Sequence, residues 1–514
     1  MLIVKKFLTV TAAVFLLVAM VHSTESALTL TSSSSYLETA FQWNKSKALS
    51  FVETGKGTNI PCYRAALPWR DAYCIRDASH MAEGACILGL TNENLTMWKS
   101  WAALQTAARK FYTIWEVDFA GNIFPCDGSD YLNDNVFWRM APAMPDLIGQ
   151  AYKNYRWSGD VQWITDKALT NFYKLTMSDF MIMHDVNGDF IPEGTGECPK
   201  VPNGSYCEMA GGYFVGGDTV AVTWDAYKAY SKILTAMGKT FEAAAYDAKA
   251  NSVYSTYTNN WWDSANNNYY LSKDVNKNWV TNINQYTKEQ LYFMAMKGIA
   301  QPGARADALL EAINNKAKAC KSNWNQESFT MLPMSFFNYG KNERGWYWLK
   351  YIMDKKYHYP ECSFLSIDGI VRGMMGVEAN APEAMVSTLG RLPSEVSWVQ
   401  VDHIPVGTND ILVKHENDKN KTTVKNNSGP SITWQACVAG FHSVLYVNGF
   451  STAASQKSIN GVTVSYVNVP LASGQQKTVS VPNNPIIATT LGVQNADSMS
   501  LGAESINDMT WTAK

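Results

Sequence analysis

The sequence predicts a mainly α-helical domain followed by a small antiparallel β-sandwich. Three observations carry that expectation. From about residue 35 to 380, apolar residues return at three- and four-residue steps in about a dozen segments. Beyond about residue 395, the pattern changes to short, Val-rich, alternating stretches. Clusters of Gly, Asn, Asp and Pro punctuate both halves, and no fixed-length repeat is present.

The helical segments run, in order, over Tyr36–Phe51, Asp77–Leu90, Leu95–Trp115, Arg139–Tyr155, Val161–Met183, Thr219–Met237, Phe241–Trp261, Lys288–Ile299, Arg305–Ala319, Arg344–Lys355 and Ser363–Val377. The strands are expected at Val396–Val401, Ile411–His415, Ser431–Val438, Ser443–Val447, Val462–Val469 and Thr478–Val481. The domain limits that follow are 35–390 for the helical part and 395–482 for the sandwich. A weakly patterned extension covers 483–514.

The bulk composition narrows the function. A formal net charge of −2 over 514 residues gives no broad attraction to nucleic acid or anionic membrane. The 18 Trp and 26 Tyr exceed what a core needs and point to carbohydrate, on whose rings flat aromatic faces stack. Residues 1–23 read as a secretory signal, with a retained signal anchor as the alternative: Lys5-Lys6, then an apolar run Phe7–Val21, short for a membrane span, then small polar residues. Five Asn-x-Ser/Thr acceptors agree with secretion, at Asn44, Asn94, Asn203, Asn420 and Asn426. So do nine cysteines, of which Cys198 and Cys207, flanking a Pro/Asn/Gly-rich loop, are the first pair expected to join. No Cys-x-x-Cys or His-Glu-x-x-His pattern supports zinc, and no metal or cofactor is expected. Asp185, Asn187 and Asp189 take the first, third and fifth places of a calcium loop. Phe190 and Gly196 stand where an EF-hand needs Gly and Glu, so an EF-hand is rejected and only a lone calcium site stays open.

The stretch Pro68–Leu90, PWRDAYCIRDASHMAEGACILGL, places two Arg-Asp pairs before an Ala/Gly-rich helix. Together with the helical count, Tyr155-Arg-Trp-Ser-Gly-Asp-Val-Gln-Trp163 and Tyr359-Pro-Glu-Cys-Ser-Phe364 followed by Asp368-Gly-Ile, it resembles the six-hairpin glycosidases, above all the α-L-rhamnosidase-type enzymes. The resemblance implies an (α/α)6 barrel with its site at one end, a terminal sugar as substrate, and an inverting acid/base hydrolysis. The chain departs from those enzymes at Ala72, where they carry an acidic residue after Arg-Asp.

Glycoside hydrolysis needs one carboxyl to protonate the leaving oxygen and a second to activate water or attack the sugar. Four groups of residues compete for these tasks. Trp69, Arg70, Arg76, Asp77 and His80 read as substrate-positioning, or as a salt-bridged helix start. Asp134, Trp138 and Arg139 follow a loop crowded with polar residues and could line a sugar subsite; Asp130 or Asp134 could equally be a helix cap. The resemblance puts the general acid in the loop before the sixth helix, here the loop holding Glu193, Glu197 and Glu208 and leading to Gly-Gly-Asp218, so that Asp218 or Glu193 is expected as proton donor, with Trp224 nearby and helix capping the rival task for Asp218. The resemblance puts the base at Glu361, with Glu327 as alternate base or hydroxyl ligand. Two other functions stay open. One is a polysaccharide lyase using His80 and Tyr73 beside Arg76; the other is a carbohydrate-binding protein without activity.

Overall fold

The computed structural model describes residues 26–53, 60–124, 131–207, 212–282 and 288–481. Residues 1–23, read above as a signal, the extension 483–514, Asp130 and Glu208 lie outside them. The helical and sheet regions through Val481 belong to one compact unit.

Twelve principal helices order the first 374 residues: α1 (Ser35–Leu49), α2 (Ile75–Ile87), α3 (Thr91–Leu104), α4 (Ala143–Ser158), α5 (Lys167–Leu175), α6 (Gly217–Ala236), α7 (Thr240–Asn260), α8 (Lys288–Met296), α9 (Ala304–Ala319), α10 (Leu332–Phe337), α11 (Asn342–Lys355) and α12 (Pro360–Asp368). Even-numbered helices pack on one another in sequence: α2 on α4, α4 on α6, α6 on α8 and α8 on α10. A π-turn, Gly369–Met374, prolongs α12, meets α10, and α12 itself returns to α2. Odd-numbered helices lie against these partners, α7 on α6, α11 on α10 and α1 on α12. The even-numbered helices are the apolar and small-residue ones, buried on nearly every side, as an inner layer requires. Gly84 shows why α2 carries small residues: a Cβ there would stand 2.3 Å from the Phe364 carbonyl oxygen of α12.

The helix limits differ from expectation, and Val161–Met183 is not one helix: Asp166, in an extended conformation, divides it and caps the piece that follows. The Leu95–Trp115 segment stops at Leu104, because Gln105 takes an extended conformation and its side chain donates to the Phe111 carbonyl. The short helix α10, opened by Pro333, has too few residues for a periodic signal.

The sandwich has two sheets. Its strands are β1 (Thr29–Ser32), β2 (Glu378–Asn380), β3 (Met385–Leu389), β4 (Trp398–Val406), β5 (Asn409–Glu416), β6 (Lys421–Ser428), β7 (Ile432–Ala439), β8 (Val444–Val447), β9 (Phe450–Ala453), β10 (Ser455–Ile459), β11 (Val462–Leu471) and β12 (Gln476–Ser480). One sheet runs β1-β4-β5-β6-β12-β8-β9, the other β2-β3-β7-β11-β10. Val399, Val401, Ile411 and Val413 of one sheet and Trp434, Val467 and Val469 of the other are buried in one continuous apolar core. Two corrections follow. The sandwich does not begin at 395: β1 precedes the helices and pairs with β4, and β2 and β3 start at Glu378. Nor is it wholly antiparallel, since β3 runs parallel to β7. Pairing across hundreds of residues leaves no local trace in a four-residue strand.

Four of the five glycan acceptors are corrected. Asn44, Asn94, Asn203 and Asn426 are buried, and their amides bond to protein: Asn44 to the Ala40 carbonyl, Asn94 to Ala82 and Asn154, Asn203 to Cys207, Asn426 to Pro430. A glycan cannot enter those positions without breaking the packing. Asn420 alone is exposed. The Cys198–Cys207 bridge is also absent; Cys198 Sγ donates to the Arg139 carbonyl at 2.7 Å, and no disulfide forms among the described residues.

Candidate active site

The segment before α2 is anchored before it reaches the interior. Ala72–Cys74 pairs antiparallel with Glu116–Asp118, and Arg70 grips Glu116 through both carboxylate oxygens at 2.9 and 2.8 Å. Arg64 binds the exposed Asp71 and Glu53. The first Arg-Asp pair therefore fastens the loop, with Trp69 75% exposed beside it. The second pair turns inward. Arg76 donates to the Tyr206 carbonyl at 3.4 Å and lies over Trp115. Asp77, in the first turn of α2, is buried.

Asp77 meets the start of α12. The Tyr359 hydroxyl donates to Asp77 Oδ1 at 2.6 Å. Pro360 fixes the first turn of α12 and delivers Glu361 inward. One turn further along α2, His80 Nδ1 lies 2.7 Å from Glu361 Oε1, and both side chains are buried. The Thr330 hydroxyl reaches the same oxygen at 3.5 Å. Burial, then the charge of Glu361, raises the Asp77 pKa above the usual carboxylate range. Burial lowers that of His80 to about 4, so its imidazole is neutral near pH 7. Glu327 sits half-buried in the turn before α10, and its charge is felt at Tyr359.

A second chain of contacts supports this cluster from below. Tyr206 packs against His80 and Phe293, and its hydroxyl donates to Asp146 Oδ2 at 3.1 Å. Lys297 donates to Asp146 Oδ1 at 2.7 Å and to Asp225 Oδ2 at 3.4 Å. Asp218 caps the loop that carries Tyr206: its Oδ2 accepts from Ser205 and from the Tyr206 amide, its Oδ1 from the Thr219 amide. Both oxygens are thus engaged by the chain, an arrangement for holding a loop at a helix start.

The other expected residues lie apart. Glu193 folds onto its own turn, accepting from the Val186 amide and the Asn187 side chain, and burial raises its pKa to about 8. Its carboxylate and those of Asp185 and Asp189 converge within 4.8 Å. Asp134 binds Arg109 and Tyr131, closing a hairpin. Arg139 donates to the Asn135, Pro199 and Lys200 carbonyls, while Trp138 is half-buried against the core. Trp224 packs on Tyr254 of α7 with Lys228 over its face, on the outer side of α6. Tyr73 turns edge-on to Trp101.

Sequence reasoning passed over Tyr206, Asp146, Lys297, Thr330 and the role of Tyr359. One signal was there to be read: Lys297 interrupts the apolar run Phe293-Met-Ala-Met-Lys-Gly-Ile-Ala300. A lysine in such a run is buried only with a partner.

No protein-family profile matches the chain, and no curated protein sequence does. Solved structures do match. The α-L-rhamnosidase from Dictyoglumus thermophilum aligns at TM-score 0.58 and 13% identity, over 89% of this chain and 51% of that one. The chain resembles α-L-rhamnosidases and other six-hairpin glycosidases. The Aspergillus terreus α-L-rhamnosidase aligns at TM-score 0.56 and 12% identity, over 88% of this chain and 51% of that one. The GH78 family rhamnosidase of Bacillus sp. GL1 aligns at TM-score 0.55 and 12% identity, over 76% and 40%. The chain spans about half the length of these proteins or less, and the likeness is one of fold.

Proposed function

We propose that the protein is a secreted glycoside hydrolase on an (α/α)6 barrel, with Asp77 as general acid and Glu361 as general base. The observation that carries this reading is the pair of buried carboxyls where α2 and α12 begin, each held by a different neutral donor: Tyr359 on Asp77 and His80 on Glu361. Two carboxyls in one site, with surroundings that set them apart, divide into acid and base. Burial and the neighbouring Glu361 disfavour a charge on Asp77 and so favour its protonated form. It gives that proton to the glycosidic oxygen. Glu361, facing the His80 and Thr330 donors, takes a proton from water as the water oxygen bonds to the anomeric carbon and the glycosidic bond breaks. The products are the free sugar, inverted at that carbon, and the leaving alcohol. This reading moves the proton donor from Asp218 and Glu193, whose carboxyls serve their own loops, to Asp77.

The closed succession of inner helices and the fold likeness to α-L-rhamnosidases support the barrel and a terminal deoxysugar substrate. A set of 4-nitrophenyl glycosides, with proton NMR of the released anomer, tests it. Cleavage of at least one with inversion is the expected outcome; an unsaturated uronic product from polysaccharide would replace the reading with a lyase.

A further inference from the structure

We propose that His80 is the positioning residue of this site: its Nδ1–H fixes Glu361, and its Nε2 is left as an acceptor for a hydroxyl group brought by the substrate. The inference rests on the assignment of Glu361 as base and goes beyond it. Nδ1 lies 2.7 Å from Glu361 Oε1, and a carboxylate only accepts, so the proton sits on Nδ1. The neutral ring then has one lone pair, on Nε2. That atom is buried and has no hydrogen-bond partner among the described residues. A buried polar nitrogen without a partner costs about 1–3 kcal/mol, so a donor from outside the chain has something to gain there.

The surroundings hold the ring in this state. Tyr206 stands edge-on to it with centroids 6.1 Å apart, and Phe293 of α8 lies tilted 5.3 Å away, so it is held between two aromatic rings. Charged groups reach it from every side: Arg76 and Asp77 on its own helix, Asp146 on α4, Lys297 after α8 and Glu361 on α12. Asp146 and Asp77 favour a second proton; Arg76, Lys297 and above all burial oppose it, leaving the imidazolium form only below about pH 4. Because Lys297 is itself fixed by Asp146, which holds Tyr206, the second chain of contacts bears on the orientation of the imidazole.

Two measurements decide the proposal. The first is kinetic, on whichever 4-nitrophenyl glycoside the wild type cleaves. His80→Ala is expected to lower kcat by about 10²-fold, the cost of a misplaced catalytic group, and to move the acidic limb of the kcat/KM profile to higher pH. His80→Asn, which keeps an N–H at the Nδ1 position, should recover kcat to within about tenfold and restore that limb while KM stays raised. His80→Gln, which fills the Nε2 position, should not restore the limb. Equal recovery by both, or an unshifted limb in His80→Ala, overturns the positioning role. The second is independent of activity. In selectively 15N-His-labelled wild type, with His80 assigned by its absence in His80→Asn, the Nδ1–H tautomer is expected from pH 5 to 8. An Nε2–H tautomer or an imidazolium overturns the proposal. If the wild type cleaves no glycoside, the hydrolase reading fails, and the tautomer still decides this one.

Discussion

Lys297 is the point at which the interior of the helical region is most open to test. Its side chain is 1% exposed, that of Asp146 is 0%, and they meet at 2.7 Å, with Asp225 at 3.4 Å. At an effective dielectric of about 20, these separations correspond to about 6 and 5 kcal/mol of attraction, set against several kcal/mol to desolvate each ion. Lys297→Met preserves volume and removes the charge. Among the described residues, Asp146 then has only the Tyr206 hydroxyl, while Asp225 keeps Lys153 at 4.0 Å. Leaving such a carboxylate uncompensated costs about 3–5 kcal/mol. Urea unfolding followed by intrinsic Trp fluorescence measures it. Lys297→Met with Asp146→Asn should recover most of the loss, because the stranded charge is gone. A single variant within 1 kcal/mol of wild type at unchanged m, or a double variant no better than the single, would refute the buried-pair argument.

Further outcomes follow from the same geometry. Gly84→Ala forces α2 from α12, because the new methyl would meet the Phe364 carbonyl at 2.3 Å; a loss of about 1–3 kcal/mol or more is expected in the same urea assay. Burial holds His80, His184 and His415 down to about 4, below their unfolded value of 6.5. Between those pH values the unfolded chain binds more protons, so stability falls as pH drops from about 6.5 to 4, by up to about 3 kcal/mol per histidine; thermal melts across that window check it. Glu193, raised to about 8, acts in the opposite direction: stability falls as pH rises from about 4.5 to 8, and Glu193→Gln should flatten that slope. After expression in a glycosylating host, peptide mass spectrometry should find glycan at Asn420 and none at Asn44, Asn94, Asn203 or Asn426.

What the sequence disclosed, and what it withheld, follow from how far apart the partners lie. Helix periodicity is local, so most of the twelve helices were legible, and so was the change to alternating strands. The strand Thr29–Ser32 was not, since only its partner 367 residues or more later makes it a strand. Glu361 could be placed because Pro360 marks a helix start. Its partnership with His80, 281 residues away, could not be seen in either segment alone. Asp218 drew attention as an acid after Gly-Gly, and that position is just where a cap also belongs; only the donors around it, Ser205 and the Tyr206 amide, separate the two. The Arg-Asp repeat divided in the same way: Arg70 found Glu116 and became an anchor, while Asp77 found Tyr359 in the buried interior.

The measurement that bears most directly on the central claim is turnover by Asp77→Asn and Glu361→Gln beside wild type and Asp218→Asn on a cleavable aryl glycoside. Loss of the acid or the base is expected to lower kcat by about 10²–10⁴-fold, with Asp77→Asn also losing the alkaline limb of the pH profile. Asp218→Asn, altering a cap, should lose stability more than kcat. Turnover near wild type in either of the first two variants, or abolished only in Asp218→Asn at full stability, would contradict the assignment.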